Sequence, residues 1–467
     1  MKSVSFPEPL WGVAEIAPPA PPALPRWGFM EWFVIGQTVL PALLFFAAFQ
    51  PLRLVVRVGA FAASVIALVL AWWLGRARRH PSAAWLLPAL AYLALMIFHP
   101  DTNSRVAGLA QCFLYFAVLA PAFWAPGMVT SAAHLRRILW LLLILNGINA
   151  AVGVLQVYDP GTWMPQELTS AEGSGVVQIK IGSSSVTVLS YKGNNGETVI
   201  RPPGLFDSPG AVAGPGMYAG LIGLAFFVTC AGFWKRLVAL CFSLLGVAVI
   251  YLTQVRTSLI VLAGMLCVYI WVLVVRKRVT LAASLMVSAA VLIGAAFSVA
   301  LFLGGGSIGE RFATLWTTNP AELYYANRGN QLEHGLTELL IEHPFGAGLA
   351  RWGMMRHYFG DPGNLNSPPI WAEVQIPAWI LDGGFVLVLL YAGALITSLR
   401  QAMILALTSP SEEIWMVAAL VLAVNAGTVA LTFGFTPFTT QHGLQYWLLS
   451  GALLGVAQAS TGERGRL

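Results

Sequence analysis

The sequence predicts an all-α polytopic membrane protein of about twelve transmembrane helices, and both its composition and its long apolar runs lead to that class. Of the 467 residues, 57% are hydrophobic and only 10% are charged. A soluble domain carries roughly a quarter charged residues, so a lipid environment explains this balance better than water does. Apolar runs near roughly twenty residues, the length that crosses a bilayer, recur along the chain, at 29–49, 53–75, 82–98, 106–125, 138–157, 211–233, 237–254, 257–275, 280–303, 376–399, 414–433 and 443–458.

The basic residues predict how these helices are oriented. When the predicted spans are threaded through a bilayer, short clusters of arginine and lysine fall on one side, at Arg76–Arg79, Arg136–Arg137, Lys235–Arg236 and Arg276–Arg278. By the positive-inside rule that side is the cytoplasm, so both termini are expected there. The net charge of +6 is therefore assigned to membrane topology, and no nucleic-acid partner is expected.

Two long segments are left on the opposite, outer side, and they complete the predicted organisation. The first contains alternating β-forming residues around Asn195-Gly196, which predicts a β-hairpin. The second is expected to be partly helical, over 320–342 and 349–359, and long structured loops are often functional. The expected units are a flexible cytoplasmic tail at 1–28, helices one to five at 29–157, an outer loop at 158–210, helices six to nine at 211–303, a large outer loop over the active site at 304–375, helices ten to twelve at 376–458 and a cytoplasmic tail at 459–467.

Arginines at the outer ends of helices are the residues most informative about function. Arg256 lies between two apolar runs, against the positive-inside bias, where a charge normally faces a polar cavity or an anion. Arg201 precedes the sixth helix, and Arg328 lies in the second long loop. Guanidinium groups bind phosphate oxygens bidentately and stay charged, so together the three suit a diphosphate. The alternative is that Arg256 snorkels to lipid headgroups and that the loop arginines are only solvated.

A transfer reaction on such a site also needs a base for an incoming hydroxyl. Glu373, at the entry to the tenth helix, is the first candidate, although an acid at a helix N-terminus is also favoured by the helix dipole alone. His357 is the alternative base. The remaining outer candidates are Asp382, Glu333, His334 and His442. No acidic pair and no histidine pair has metal-ligand spacing, so neither a metal nor another cofactor is expected.

Four short motifs, in this order, resemble the O-antigen ligase and O-antigen polymerase superfamily of bacterial glycan-assembly proteins. They cover roughly residues 200–400. The motifs are the Thr-Gln-Val-Arg-Thr-Ser-Leu turn at 253–259, Asn327-Arg328-Gly329, the Glu-His-Pro-Phe-Gly-Ala-Gly stretch at 342–348, and Leu-Asp-Gly-Gly-Phe at 381–385. Twelve predicted spans with the largest outer loop between helices nine and ten also fit this family.

The resemblance implies a substrate and a reaction. The donor would be a glycan carried on undecaprenyl diphosphate, transferred to a hydroxyl on the periplasmic face of the bacterial inner membrane without metal or nucleotide sugar. Arg201, Arg256 and Arg328 would bind the diphosphate, and Arg256 would also stabilise it during transfer. The acceptor would be a glycan or lipid A–core, and the implied partners are membrane lipid and, in some members, a chain-length regulator protein.

The chain departs from the ligase pattern at one point. Ligases of this family carry a His-Asn pair about eleven residues before the glycine of the last motif, whereas counting back from Gly384 gives Glu373-Val374. Glu373 would then take the role of the base, or His357 would if the register slips across the proline-rich break. This departure favours a polymerase that joins repeat units of O-antigen or exopolysaccharide over a lipopolysaccharide ligase. A transporter of lipid-linked sugars is the third hypothesis, although transporters usually place polar sites near the bilayer midplane.

Overall fold

The structure is a computed structural model that describes residues 27–164, 178–181, 184–188, 190–192, 198–206 and 210–464. Most of the predicted N-terminal tail, part of the loop at 158–210, including the Asn195-Gly196 turn of the predicted hairpin, and the last three residues of the chain lie outside the described residues. The descriptions below refer to the described ranges.

Helices account for most of the described chain. Their bounds are α1 Phe29–Ala42, α2 Arg53–Trp73, α3 Ala83–Met96, α4 Arg105–Leu119, α5 Pro121–Trp124, α6 Ala132–Tyr158, α7 Pro160–Trp163, α8 Ala213–Thr229, α9 Phe233–Thr253, α10 Arg256–Val275, α11 Val279–Gly304, α12 Gly306–Thr317, α13 Pro320–Tyr324, α14 Asn330–His334, α15 Leu340–Glu342, α16 Gly353–Phe359, α17 Gln375–Thr408, α18 Glu412–Ala430 and α19 Gln441–Arg464. Two π-helical turns, Tyr325–Gly329 and Gly335–Leu339, join α13, α14 and α15 into one run at 320–342, called the loop helix below.

Within the described residues, eight helices are long and apolar enough to cross a membrane. They lie at Leu54–Trp73, Arg105–Gly127, Ala132–Tyr158, Phe233–Thr253, Arg256–Val275, Val279–Gly304, Gln375–Thr408 and Glu412–Phe433. Ala83–Met96 and Ala213–Thr229 are apolar but shorter. The predicted class, an α-helical membrane protein, is confirmed. Each of the other predicted spans overlaps a helix, and the count of twelve stays a prediction.

The first predicted span is not one straight helix. Helix α1 ends at Ala42, directly after Pro41, and two 3₁₀ segments, Leu43–Phe45 and Ala47–Leu52, carry the chain to α2. Proline lacks the backbone N–H that an α-helix needs and clashes with the preceding turn. Pro51 lies in the second 3₁₀ segment, so these two prolines divide the apolar run that hydropathy alone presents as continuous.

Small residues bring the central helices close together. Helices α8 and α9 pack along each other, and a methyl group placed on Gly246 would lie 2.6 Å from the carbonyl oxygen of Gly216. In a membrane, helices gain little from hydrophobic burial against each other and rely on close backbone packing. Ser243 adds a hydrogen bond across the same pair, from its hydroxyl to the carbonyl of Gly220 at 2.8 Å.

The two long segments differ in secondary structure. The first contains four short strands, β1 Gln178–Ile181, β2 Ser184–Val188, β3 Ser190–Lys192 and β4 Thr198–Ile200, which pair antiparallel as β1 with β2 and β3 with β4. The second contains α12, the loop helix and α16. The strands lie in the segment for which the sequence predicts a hairpin, and the loop helix covers the predicted helical stretch at 320–342.

Helix α17 is broken where a turn from the second long segment docks into it. Gly384 has φ +59°, and a side chain there would overlap the carbonyl oxygen of Pro344. That carbonyl accepts a hydrogen bond from the backbone N–H of Phe385 at 2.9 Å, and the N–H of Ala347 donates to the carbonyl of Leu381 at 2.7 Å. The break thus brings together the two motifs at 342–348 and 381–385, which are far apart in the sequence.

Candidate functional site

Arg256 is the first residue of α10 and lies just after a tight turn. Gln254 adopts the left-handed conformation, with φ +57°, and ends α9. Because the turn is only two residues long, α10 begins immediately beside the end of α9. Arg201 reaches the same turn, and its Nε donates to the carbonyl oxygen of Thr253 at 3.3 Å. Both arginines are half-buried, so the α9–α10 turn holds two guanidinium groups at one end of the helix bundle, called the arginine end below.

Helix α12 lies against this turn. A guanidinium nitrogen of Arg256 donates to the hydroxyl of Thr314, and that hydroxyl donates in turn to the backbone carbonyl of Arg311 at 2.7 Å. Ile308 and Phe312 are the buried residues of α12, which is otherwise half-buried or exposed. The amphipathic helix therefore lies along the bundle and orients the Arg256 side chain.

A series of contacts continues from this turn to the loop helix. A methyl group placed on Gly434 would lie 3.0 Å from Cγ2 of Thr257, the residue after Arg256. The preceding residue, Phe433, accepts a hydrogen bond through its carbonyl from the hydroxyl of Tyr324 at 3.0 Å. Tyr324 lies four residues, about one helical turn, before Arg328. The loop helix is thereby fixed to the same end of the bundle as Arg256.

Arg328 is paired with Glu373. The two side chains form an ion pair, with 37% and 34% of the side chains exposed respectively. Gln331, three residues after Arg328, accepts the backbone N–H of Glu373 through its side-chain oxygen at 3.3 Å. Gly335 continues this face of the loop helix, since a methyl group there would lie 2.8 Å from the ring of Pro377. The face of the loop helix that carries Arg328, Gln331 and Gly335 therefore packs along the segment that leads into α17.

His442 is the second residue of α19. Its Nε2 packs against Gly214, where any side chain would overlap it, and its ring lies 5.3 Å from that of Phe435. Gly210, four residues before Gly214, lies against the guanidinium of Arg201. Among the described residues the buried Nε2 has no hydrogen-bond partner. Its close packing against Gly214 indicates that the imidazole fills space between α8 and α19.

The alternative base His357 lies in a different neighbourhood. It is exposed on α16, whose neighbouring residues contact α2 and α4: Tyr358 accepts a hydrogen bond from Arg57 at 3.4 Å, and the carbonyl of Phe359 accepts one from Ser104 at 2.9 Å. These contacts place His357 beside the N-terminal ends of α2 and α4, whereas Glu373 contacts Arg328 directly.

Asp382 is buried within α17 and is fully engaged. Its carboxylate accepts hydrogen bonds from Tyr115 at 2.6 Å, Trp352 at 2.9 Å and Gln111 at 3.2 Å. These donors come from α4 and from the second long segment, so the carboxylate joins both to the helix break at Gly384. Its solvent exposure is 0%, which indicates a structural role.

Two pKa shifts describe the electrostatics of the loop helix. Partial burial lowers the pKa of the Arg328 guanidinium, although arginine still stays charged because its reference value is so high. The nearby Glu333 carboxylate raises the pKa of the Tyr325 phenol. Glu333 lies five residues after Arg328, yet Arg328 pairs with Glu373, which is 45 residues away in the sequence.

The structure thus connects Arg201, Arg256, Arg328 and Glu373 through one series of contacts at the arginine end. Sequence reasoning missed Thr314 and Gln331, which orient Arg256 and Glu373. The spacing of three between Arg328 and Gln331, on one face of a predicted helix, was the available signal for Gln331. Within the described ranges, no three histidine, cysteine, aspartate or glutamate residues are grouped as metal ligands.

Comparison of the chain with protein-family models and with curated proteins finds no match.

Proposed function

We propose that this protein is a metal-independent membrane glycosyltransferase that polymerises oligosaccharide repeat units linked to undecaprenyl diphosphate. The observation that carries the proposal is the series of contacts from Arg201 through the α9–α10 turn and Thr314 to Arg328 and Glu373. These contacts link the two guanidinium groups at the α9–α10 turn to the Arg328–Glu373 pair. The resemblance of the motifs at 253–259, 342–348 and 381–385 to the O-antigen polymerase and ligase superfamily supports the same reaction class.

The arginines suit the leaving group of this reaction. When the bond between the anomeric carbon and the phosphate oxygen breaks, its electron pair goes to the departing lipid diphosphate. Fixed positive groups that face this developing charge stabilise the transition state more than the ground state. Arg256 and Arg201 are held from neighbouring positions on the α9–α10 turn, so they reach one diphosphate together. Hydrogen bonds to Thr314 and Thr253 orient them before the substrate binds.

Glu373 suits the role of general base. The acceptor hydroxyl attacks the anomeric carbon as its proton passes to the Glu373 carboxylate, and a new glycosidic bond forms as the bond to phosphate breaks. The pairing with Arg328 and the contact with Gln331 hold Glu373 at the edge of the site. About a third of its side chain is exposed, so an incoming hydroxyl has access to it.

In this proposal the arginine end faces the periplasm and both termini lie in the cytoplasm of a bacterium, with the protein in the inner membrane. The basic clusters between Arg76 and Arg278 support this orientation through the positive-inside rule. The donor is the growing glycan on its lipid diphosphate, and the acceptor is a hydroxyl of the next lipid-linked repeat unit.

The test is chain extension by purified protein in lipid nanodiscs supplied with the undecaprenyl-diphosphate-linked repeat unit. Wild-type protein is expected to produce a ladder of longer lipid-linked glycans. Arg256→Ala is expected to lower the rate about 10²- to 10³-fold, as loss of one charge-stabilising donor does, and Glu373→Gln about 10²- to 10⁴-fold, as loss of a general base does.

Matched control variants distinguish the effect of changing a site residue from the effect of removing any charged side chain. Arg311→Ala removes an exposed arginine from α12 but keeps the backbone carbonyl that Thr314 uses, and Glu338→Gln changes an exposed acid of the loop helix. Both should extend glycans at the wild-type rate. Full activity of Arg256→Ala would contradict the site, and donor consumption only after addition of lipid A–core would make the protein a ligase.

A further inference from the structure

The segment that enters α17 has two distinct faces. Ile370 and Ala372 pack against the apolar cluster that contains Leu381, and Val374 is fully buried. The more exposed residue between Ile370 and Ala372 lies on the other side, as in a chain whose side chains alternate between two faces. Trp371 is accordingly 75% exposed. It shares the outward face with Glu373, which pairs with Arg328.

The backbone under Trp371 is fixed. The N–H of Ile370 donates to the carbonyl of Arg351 at 2.8 Å, and Arg351 donates to the carbonyls of Pro368 at 3.0 Å and Ala347 at 3.0 Å. Two residues later, Gln331 holds the N–H of Glu373. The indole is thus presented on a segment anchored on both sides, and a ligand that stacks on it has little backbone ordering to oppose binding.

A large exposed aromatic side chain two residues before an ion-paired carboxylate matches the chemistry of a sugar. A pyranose ring has an apolar face of C–H groups and a rim of hydroxyls. An indole covers the apolar face, while a carboxylate and a guanidinium at its edge accept and donate hydrogen bonds to the hydroxyls. The arginines of the α9–α10 turn can recognise a diphosphate but offer no such surface to the neutral part of the substrate.

From this arrangement we infer that Trp371, together with the Arg328–Glu373 pair, forms a subsite for one pyranose unit of the glycan substrate. The inference rests on the proposed function for the identity of the substrate, and it adds where the sugar binds. The ring that stacks on Trp371 places its hydroxyls next to the Glu373 carboxylate, so the unit bound here is the acceptor sugar.

A second exposed tryptophan of the same region provides the comparison. Trp316 is 79% exposed on α12, but it lies about 200° around the helix from Thr314, the partner of Arg256, since each residue advances about 100°. Tryptophans also collect at membrane interfaces, where they anchor the protein to headgroups. Trp316 fits that role, and the two tryptophans have nearly equal exposure, so substitution of each separates sugar binding from lipid anchoring.

The experiment has two readouts in nanodiscs. The first readout is binding without turnover, measured by saturation-transfer NMR. Its ligand is the soluble oligosaccharide that mild acid releases from the surface polysaccharide of the cell that makes this protein. The second is KM for the lipid-linked acceptor in chain extension. Trp371→Ala should weaken binding and raise KM about tenfold with little change in kcat, Trp371→Phe should restore most of both, and Trp316→Ala should change neither.

Equal effects of Trp371→Ala and Trp316→Ala would assign both to lipid anchoring and overturn the inference, as would unchanged binding and KM in Trp371→Ala. The two proposals fail separately. Chain extension that does not depend on Trp371 removes the subsite and leaves the proposed function. Oligosaccharide binding that is lost in Trp371→Ala, in a protein that extends no glycan, keeps the subsite and removes the polymerase.

Discussion

Glu373 and Asp382 are two carboxylates separated by nine residues around the entry to α17, and their surroundings differ in kind. Asp382 has no solvent exposure and accepts hydrogen bonds from three neutral donors, Tyr115, Trp352 and Gln111. Glu373 is about a third exposed and pairs with Arg328. A buried carboxylate surrounded by donors holds elements together, whereas an exposed one beside an arginine can exchange partners with a substrate.

The largest effect is expected from removing the buried carboxylate. Asp382→Ala leaves three buried donors without an acceptor, and each such group costs about 1–3 kcal/mol, so the free energy of unfolding should fall by at least about 3 kcal/mol. Denaturant titration of the protein in detergent, followed by tryptophan fluorescence, measures the change. Glu373→Ala is the control and should alter stability by less than about 1 kcal/mol. Equal losses in the two variants would remove the distinction drawn here.

A buried histidine extends the comparison of buried and exposed ionisable groups to the dependence of stability on pH. Burial lowers the pKa of His80, which lies between α2 and α3, to about 4, so the folded protein binds its proton only below that value, whereas the unfolded chain binds it below about 6.5. Stability should therefore fall as pH decreases from about 6.5 to 4, by up to about 3 kcal/mol. Unfolding measured across this range checks the slope. His80→Gln should flatten it, while His334→Gln, at an exposed site, should leave it unchanged.

The helix break next to Asp382 depends on Gly384. An alanine there would be forced into a left-handed conformation and would overlap the carbonyl of Pro344, so Gly384→Ala should lose about 2 kcal/mol of stability. Gly294→Ala, in α11 where a methyl group meets nothing within 4 Å, is the matched control and should be neutral or slightly stabilising. Thermal unfolding of both variants in detergent measures the difference, and an unperturbed Gly384→Ala would contradict the docked turn.

The smallest effect on stability should come from the Arg328–Glu373 pair itself. Exposed ion pairs contribute about 0–1 kcal/mol, so a double-mutant cycle with Arg328→Ala and Glu373→Ala should give a coupling energy below about 1 kcal/mol. The same cycle on the rate of chain extension should be strongly non-additive. Either substitution alone already disables the Glu373 base, so the second substitution has little left to remove. If the coupling energy for stability were as large as that for the rate, the Arg328–Glu373 pair would have a structural role, like Asp382.

The sequence predicted the helical class because apolar runs of membrane-spanning length are a local property, readable without knowing the fold. The break of α17 is different, since Gly383-Gly384 signals flexibility but not that the turn at Pro344 docks there. The site shows the same division. Arg256 stood out locally as a charge between apolar runs, whereas its partner Thr314 lies 58 residues away on another helix, and no spacing connects them.

The pairing of Glu373 was also beyond sequence reasoning. A local acid, Glu333, lies five residues after Arg328, but Arg328 contacts Glu373 because the loop helix lies along the entry to α17. Tertiary packing therefore decided between two chemically equal partners. The strongly exposed Trp371 could be recognised only once the alternate burial of Ile370 and Ala372 was known.

The central claim is that the arginine end binds a lipid diphosphate, and native mass spectrometry of the protein with undecaprenyl diphosphate tests it most directly. Wild-type protein and Arg311→Ala should bind the lipid equally, and should bind it more tightly than undecaprenyl monophosphate. Arg201→Ala and Arg256→Ala should each weaken binding about tenfold or more, since charge-assisted hydrogen bonds are the strong ones. Binding that is unchanged in both variants, or equal for the two lipids, would contradict the account.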